Sequence, residues 1–235
     1  MSIKEGVNAP VRKMLKDEIV WASTHNCEEH DEPYINHWDC LLEEKPSGYP
    51  GRIEKIGVLD IEATNLQSDF GVILCYVIRD LNGTERHERS LTKAEIKSKT
   101  HDKELIKQLI KDMNKYDRFV VFYGGDYKYD IPFIRTRALK WGLDFFGYKE
   151  KYVTDLYTIC KRKLRLHNGR LQTVCDFFDI PSKIHKIKGD IWTKAQAGRK
   201  KALDHIIQHC REDVDATAEV MKRMEFTFRY TPKSI

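Results

Sequence analysis

The chain has 235 residues, 41% hydrophobic and 33% charged, which suits one generous domain or one domain with an appendage and excludes wholesale disorder. No run of about 18 apolar residues exists to span a membrane, and the opening MSIKEGVNAPVRKML lacks a signal-peptide core, so a cytoplasmic protein is expected. The net charge of +5 hides an asymmetry: residues 1–53 hold 6 Lys/Arg against 10 Asp/Glu, whereas residues 161–201 hold 12 against 3, a footprint for a polyanion or else a solvated helical surface.

Residues 6–18 read as a short helix with Pro10 in its first turn. Residues 22–50 show no period and are too polar to make a core; they end in KPSGYPG, which marks a boundary. We therefore expect residues 1–50 to form an N-terminal helix and Cys/His segment, and residues 51–230 to form the main domain. Cys27, His30, His37 and Cys40 read C-x2-H-x6-H-x2-C, two chelating pairs that suit one structural, tetrahedral Zn²⁺ in a knuckle-like extension, with His25 as a spare donor. The alternative is an acidic loop with two free thiols. No Lys or Arg occurs from residue 19 to 44, so this segment is a poor phosphate binder and is expected to brace the main domain or meet a protein partner. Cys75, Cys160, Cys175 and Cys210 read as small core residues.

Residues 54–61 and 70–78 predict buried strands, and Asn82-Gly83 predicts a hairpin to a third strand at 86–91. Leu105, Ile106, Leu109, Ile110 and Met113 mark one face of a helix over 102–115. A strand at 118–123 and a helix at 131–141 follow, and then helices at 155–165, 171–179, 189–197 and 200–224. The fold class is α/β, with the sheet built early.

Asp60 and Glu62, in LDIEATN, sit two apart near a strand end and so share a face. Two carboxylates there are explained by a divalent cation with hard oxygen ligands, or by solvation at an exposed strand end. Asp130, in YGGDYKYDIPF, opens a helix; its alternative role is N-cap. Asp213 has His209 four residues earlier on the same helix face. Its alternative role is an exposed helical residue.

Together the motifs VLDIEATNL, YGGDYKYDIPFIRTRAL and HCREDVDATAEV resemble those of the ribonuclease H-like superfamily, specifically the DEDD 3′–5′ exonucleases. The nearest likeness is the phage and prokaryotic branch with D-I-P-F-x-R-x-R-A in its second motif. The resemblance covers residues 54–224 and implies a mixed sheet flanked by helices. It further implies two Mg²⁺ or Mn²⁺ ions held by Asp60, Glu62, Asp130 and Asp213, with His209 as general base. The best-known subclasses place Tyr four residues, or His five residues, before the last Asp; this chain has His at four, with His205 a further four back on the same face. A similar Asp follows the second motif in related chains, so Asp155 is expected to cap a helix or support the ligands. Asp126 is set aside because Asp130 matches the motif.

The resemblance places Thr64, Asn65 and Leu66 beside the terminal nucleotide; the alternative is a simple turn. Of Arg135 and Arg137, two apart on a helix, one is expected on phosphate, and Arg135 is taken as that one. Lys183, Lys186 and Lys188, with Lys161, Lys163, Arg165 and Arg170 around the turn at 167–169, are expected to grip the backbone of DNA or RNA at its 3′ end, or else only to keep a helical surface soluble. The same carboxylates would serve a structure-specific endonuclease, and a non-catalytic nucleic-acid-binding module is the alternative from another class.

Overall fold

The structure is a computed structural model and describes residues 16–44, 46–50, 54–125, 128–181, 187–228 and 235. A single five-stranded sheet organises the main body. Its strands are β1 (Ile56–Ala63), β2 (Ile73–Asp80), β3 (Arg86–Ser90), β4 (Arg118–Val121) and β5 (Tyr152–Asp155), in the order β3-β2-β1-β4-β5. β1, β2 and β3 form an antiparallel meander, and β4 and β5 extend it in parallel from β1. The helices are α1 (Lys16–Thr24), α2 (Trp38–Glu44), α3 (Lys93–Lys97), α4 (Lys103–Met113), α5 (Asp130–Lys140), α6 (Leu156–Lys163), α7 (Leu171–Phe177), α8 (Gly189–Gln196) and α9 (Lys200–Met224).

Burial of β2 on both faces explains its near-continuous apolar run. Successive side chains alternate: Cys75 hydrogen-bonds Cys210 of α9, while the Tyr76 hydroxyl donates to Asp112 Oδ2 of α4 at 2.7 Å. Helices α9 and α4 therefore cover opposite faces of the sheet. The apolar stripe predicted for α4 is buried at Leu105, Ile106, Leu109 and Met113. Buried Arg137 of α5 donates to both oxygens of buried Asp102 at 2.6 and 2.9 Å, and Asp102 also accepts from the Ile73 N–H and Trp141 Nε1 at 2.9 Å each. This fully bonded pair fixes α5 against β2, and breaking it by removing one partner costs about 3–5 kcal/mol.

Two elements differ from expectation. β5 is only four residues, and its buried Val153 and Thr154 lie between a charged run and a helix start, too short for a period-2 signal. α3 opens with a capping box, the Thr92 side chain accepting from the Glu95 N–H and Glu95 reaching back to Thr92, yet it is too short for an apolar period.

The predicted first helix falls largely outside the described residues. The expectation that 22–50 is too polar for a core is corrected: Ala22, Cys27, Tyr34, Trp38, Cys40 and Leu41 form a small buried cluster of their own. Trp21 stacks on His25 and Tyr34 at its edge. Few residues build it, so no periodic signal arises. Among the described residues no helix is long and apolar enough to cross a membrane.

Candidate active site

Asp60 and Glu62 leave β1 on one face, both half-buried, while Ile61 between them points into the core. The Ile61 N–H donates to Asp130 Oδ1 at 3.4 Å. Asp130 is the first residue of α5, and the N-cap position is held by Tyr129, so Asp130 is not the N-cap. It is 2% exposed. Burial and then the charge of Asp60 push its carboxyl well above the usual carboxylate range, against the pull of the Ile61 N–H.

Glycine makes room for this buried carboxylate. A Cβ on Gly124 would stand 1.8 Å from Asp130 Oδ2. The turn is pinned from behind by Asp155, at the end of β5. Its carboxylate accepts the N–H groups of Tyr123 at 3.3 Å and Gly125 at 3.1 Å, caps α6 through Thr158 N–H at 3.4 Å, and pairs with Lys128 Nζ at 2.8 Å. Asp155 thus has the capping role expected of it.

Helix α9 carries the remaining groups. His209 is 8% exposed, and its Nε2 lies 3.7 Å from Glu62 Oε1 and 3.7 Å from Asp213 Oδ2. Asp215, two residues on, turns away and accepts from Arg79 at 2.8 Å and Arg86 at 2.6 Å. Asp60, Glu62, His209 and Asp213 line one open cleft of about 780 Å³; His205 does not. Phe122, Tyr123, Tyr157, Arg170 and Trp192 also line it, along with Gly169 and Ile187.

The four carboxylates are hard oxygen groups, a chemistry that would suit Mg²⁺ or Mn²⁺. Among the described residues, Cys27, His30 and Cys40 form the one group of three or more potential ligands whose donor atoms lie within 4.8 Å of one another.

The family profile of the RNase_H superfamily matches residues 58–225. The chain belongs to the ribonuclease H superfamily. The match takes in β1, α5 and α9, hence all four carboxylates and His209, and leaves out the Cys/His segment. Comparison with curated proteins finds no match. Membership in the ribonuclease H superfamily points to nuclease-type hydrolysis and a nucleic-acid substrate.

Around this ribonuclease H site, several residues expected at the substrate lie elsewhere. Thr64, Asn65 and Leu66 follow β1 but do not line the cleft. Thr64 Oγ1 accepts the Val72 N–H at 3.0 Å and Asn65 Oδ1 the Gln67 N–H at 2.9 Å, so both side chains shape the loop, and Leu66 is 79% exposed. Arg135 rests over the Phe145 ring at 5.7 Å and is also away from the cleft wall, while Arg137 is the buried partner of Asp102. Lys183 and Lys186 lie outside the described residues. Lys188 is exposed beside cleft-lining Ile187, and Lys161, Lys163, Arg165 and Arg170 are exposed around the turn that Asn168 closes by accepting the Arg170 N–H at 2.9 Å.

In the N-terminal segment, His30 Nδ1 lies 3.4 Å from the sulfurs of both Cys27 and Cys40. The His30 N–H also points at Cys27 Sγ at 3.3 Å. His37 departs from the predicted four-ligand set: its ring stacks on His30 at 4.5 Å, but its Nε2 pairs with Glu32 at 3.0 Å. The acidic surroundings compete for that imidazole. His25 is held by Trp21 and Thr24 instead.

Nothing in the sequence marks Tyr123, Tyr157 and Trp192 as residues of the cleft. Each is an ordinary core candidate by residue type, and only the meeting of β4, α6 and α8 turns them toward one cleft.

Proposed function

We propose that this chain is a metal-dependent nuclease, a 3′–5′ exonuclease that hydrolyses phosphodiester bonds of DNA or RNA. One observation carries the reading: carboxylates from β1 and α9 share an open cleft with His209, with Asp130 buried against the same strand at the Ile61 N–H, in a domain of the ribonuclease H superfamily. Asp60, Glu62, Asp130 and Asp213 would hold two Mg²⁺ or Mn²⁺ ions. When bound, such a pair supplies Lewis acidity at the phosphoryl oxygens and a water acidic enough to attack at neutral pH. His209 takes the proton of the attacking water, and Glu62 and Asp213 on either side stabilise the imidazolium as it forms. Arg170, Lys188 and the exposed basic residues of α6 neutralise backbone phosphates without reading sequence.

The Cys27, His30 and Cys40 group is the proposed site of one structural Zn²⁺. Its acidic surface is a proposed contact for protein rather than for phosphate.

The test is digestion of 3′- and 5′-labelled linear strands and of closed circles with Mg²⁺ or Mn²⁺. Mononucleotides released from the 3′ end, with circles intact, are expected. Cleaved circles would make the enzyme an endonuclease.

A further inference from the structure

Tyr123 lies two residues past β4, at the edge of the glycine turn, and its backbone φ is +66°, in the left-handed region that bulky side chains avoid. Strain of this kind persists where the surroundings over-determine it, and here Asp155 holds the Tyr123 N–H. The ring so presented is 51% exposed although it lines the cleft. Packing of the core does not account for a strained residue that leaves half its surface in water.

Tyr157, at the start of α6, stands edge-on to Tyr123, ring centres 4.8 Å apart at 90°. Lys128 Nζ lies 5.4 Å from the Tyr123 ring centre and 4.5 Å from that of Tyr157, fixing both rings while pairing with Asp155. The backbone of Gly169 lies against Tyr157, where a Cβ would meet Cε2 at 2.9 Å, and this brings Arg170 to the same cleft. Two braced aromatic rings and a guanidinium thus share a cavity with Asp60, Glu62 and Asp213.

We infer that Tyr123 and Tyr157 form a nucleobase-stacking subsite, with Arg170 on the adjacent phosphate, and that the substrate is therefore a single-stranded end. This rests on the nuclease reading above. Aromatic faces take any base but only an unpaired one, because a base inside a duplex offers its faces to its neighbours. The subsite selects strandedness, not sequence.

The probe is a single-stranded oligonucleotide with 2-aminopurine as its 3′-terminal base, alongside a blunt duplex of the same sequence. Binding is measured with Mg²⁺ in an Asp60→Asn background that keeps the probe intact. Tyr157→Leu should weaken single-strand binding about 5–100-fold and change the 2-aminopurine fluorescence of the complex, whereas Tyr157→Phe should restore both. Tyr123→Gly should lose affinity while its melting temperature holds or rises, because glycine accepts the positive φ; a merely structural tyrosine would lower it. The duplex should bind more weakly and respond little to either change. Single-strand binding unchanged in Tyr157→Leu and Tyr123→Gly, or equal losses for single strand and duplex, would overturn the subsite and leave the nuclease reading standing. A parent protein that binds neither probe would overturn that reading and the subsite with it.

Discussion

The imidazole of His209 stands 3.7 Å from two carboxylates on different elements, so a positive charge formed there is stabilised from both sides. His209→Ala should lower kcat by about 10²–10⁴-fold and His205→Ala by far less, as measured by single-turnover cleavage; a larger loss at His205 would reassign the base. Gly124 is the second telling residue. Gly124→Ala forces a Cβ against Asp130, and such overpacking costs about 1–3 kcal/mol. Denaturant melts and activity should fall together, whereas an unperturbed variant would mean that Asp130 has room to move. At this scale strand and helix periods pair Asp60 with Glu62 and His209 with Asp213 on shared faces, while the grouping with Asp130 rests on the resemblance of the motifs. Arg135 and Arg137 were not assignable, since their fates depend on Phe145 and Asp102, remote in sequence. Tyr123 was hidden for a further reason: nothing in its neighbours announces a positive φ on a tyrosine.

Helix α9 divides its charged residues by direction. Asp213 faces the cleft, while Arg211 and Asp215 clamp the helix to the meander, Arg211 Nε donating to Glu88 Oε2 at 2.8 Å and its Nη2 to Oε1. The bonds from Arg211 hold the Glu88 carboxyl below its ordinary value of 4.5, against a smaller opposing effect of burial. A depressed carboxyl contributes stability that is present above the ordinary value and lost as pH falls through the depressed one. Glu88→Gln should therefore cost about 0.5–1 kcal/mol at neutral pH, and that gap should narrow in melts taken progressively below pH 4.5. A gap that is constant with pH would exclude the ion pair as its source. Long elements with strong periods, such as α4 and α9, read correctly from sequence. β5 did not, because four residues that complete a parallel edge carry too little pattern to compete with the helix that follows.

Across the whole molecule, acidic and basic residues are segregated. The basic stretch 161–201 reaches the cleft through Gly169, Arg170, Ile187 and Trp192, as its place between the second and third acidic motifs suggested. The N-terminal segment has its own small cluster, in which burial and then Cys27 push the Cys40 thiol up to about 11. Burial also raises Cys27, but the His30 backbone and ring and further hydrogen bonds outweigh it and lower that thiol. Zinc binding by this pair must release protons, so affinity should strengthen as pH rises. Protein prepared without chelator should carry about one Zn²⁺ per chain, lost in Cys27→Ser with Cys40→Ser together with protease resistance across residues 22–45. Metal analysis that finds no zinc would contradict this. The grouping of Cys27, His30 and Cys40 was legible from spacing, but the diversion of His37 to Glu32 was not, because it depends on a loop conformation. The central claim, that four carboxylates act through divalent metal on a strand end, is tested most directly by one assay: release of nucleotides from a 3′-labelled single strand by wild type and Asp60→Asn, with and without Mn²⁺. Metal-dependent release by wild type alone is expected. Equal release by Asp60→Asn, or by wild type stripped of divalent metal, would contradict it.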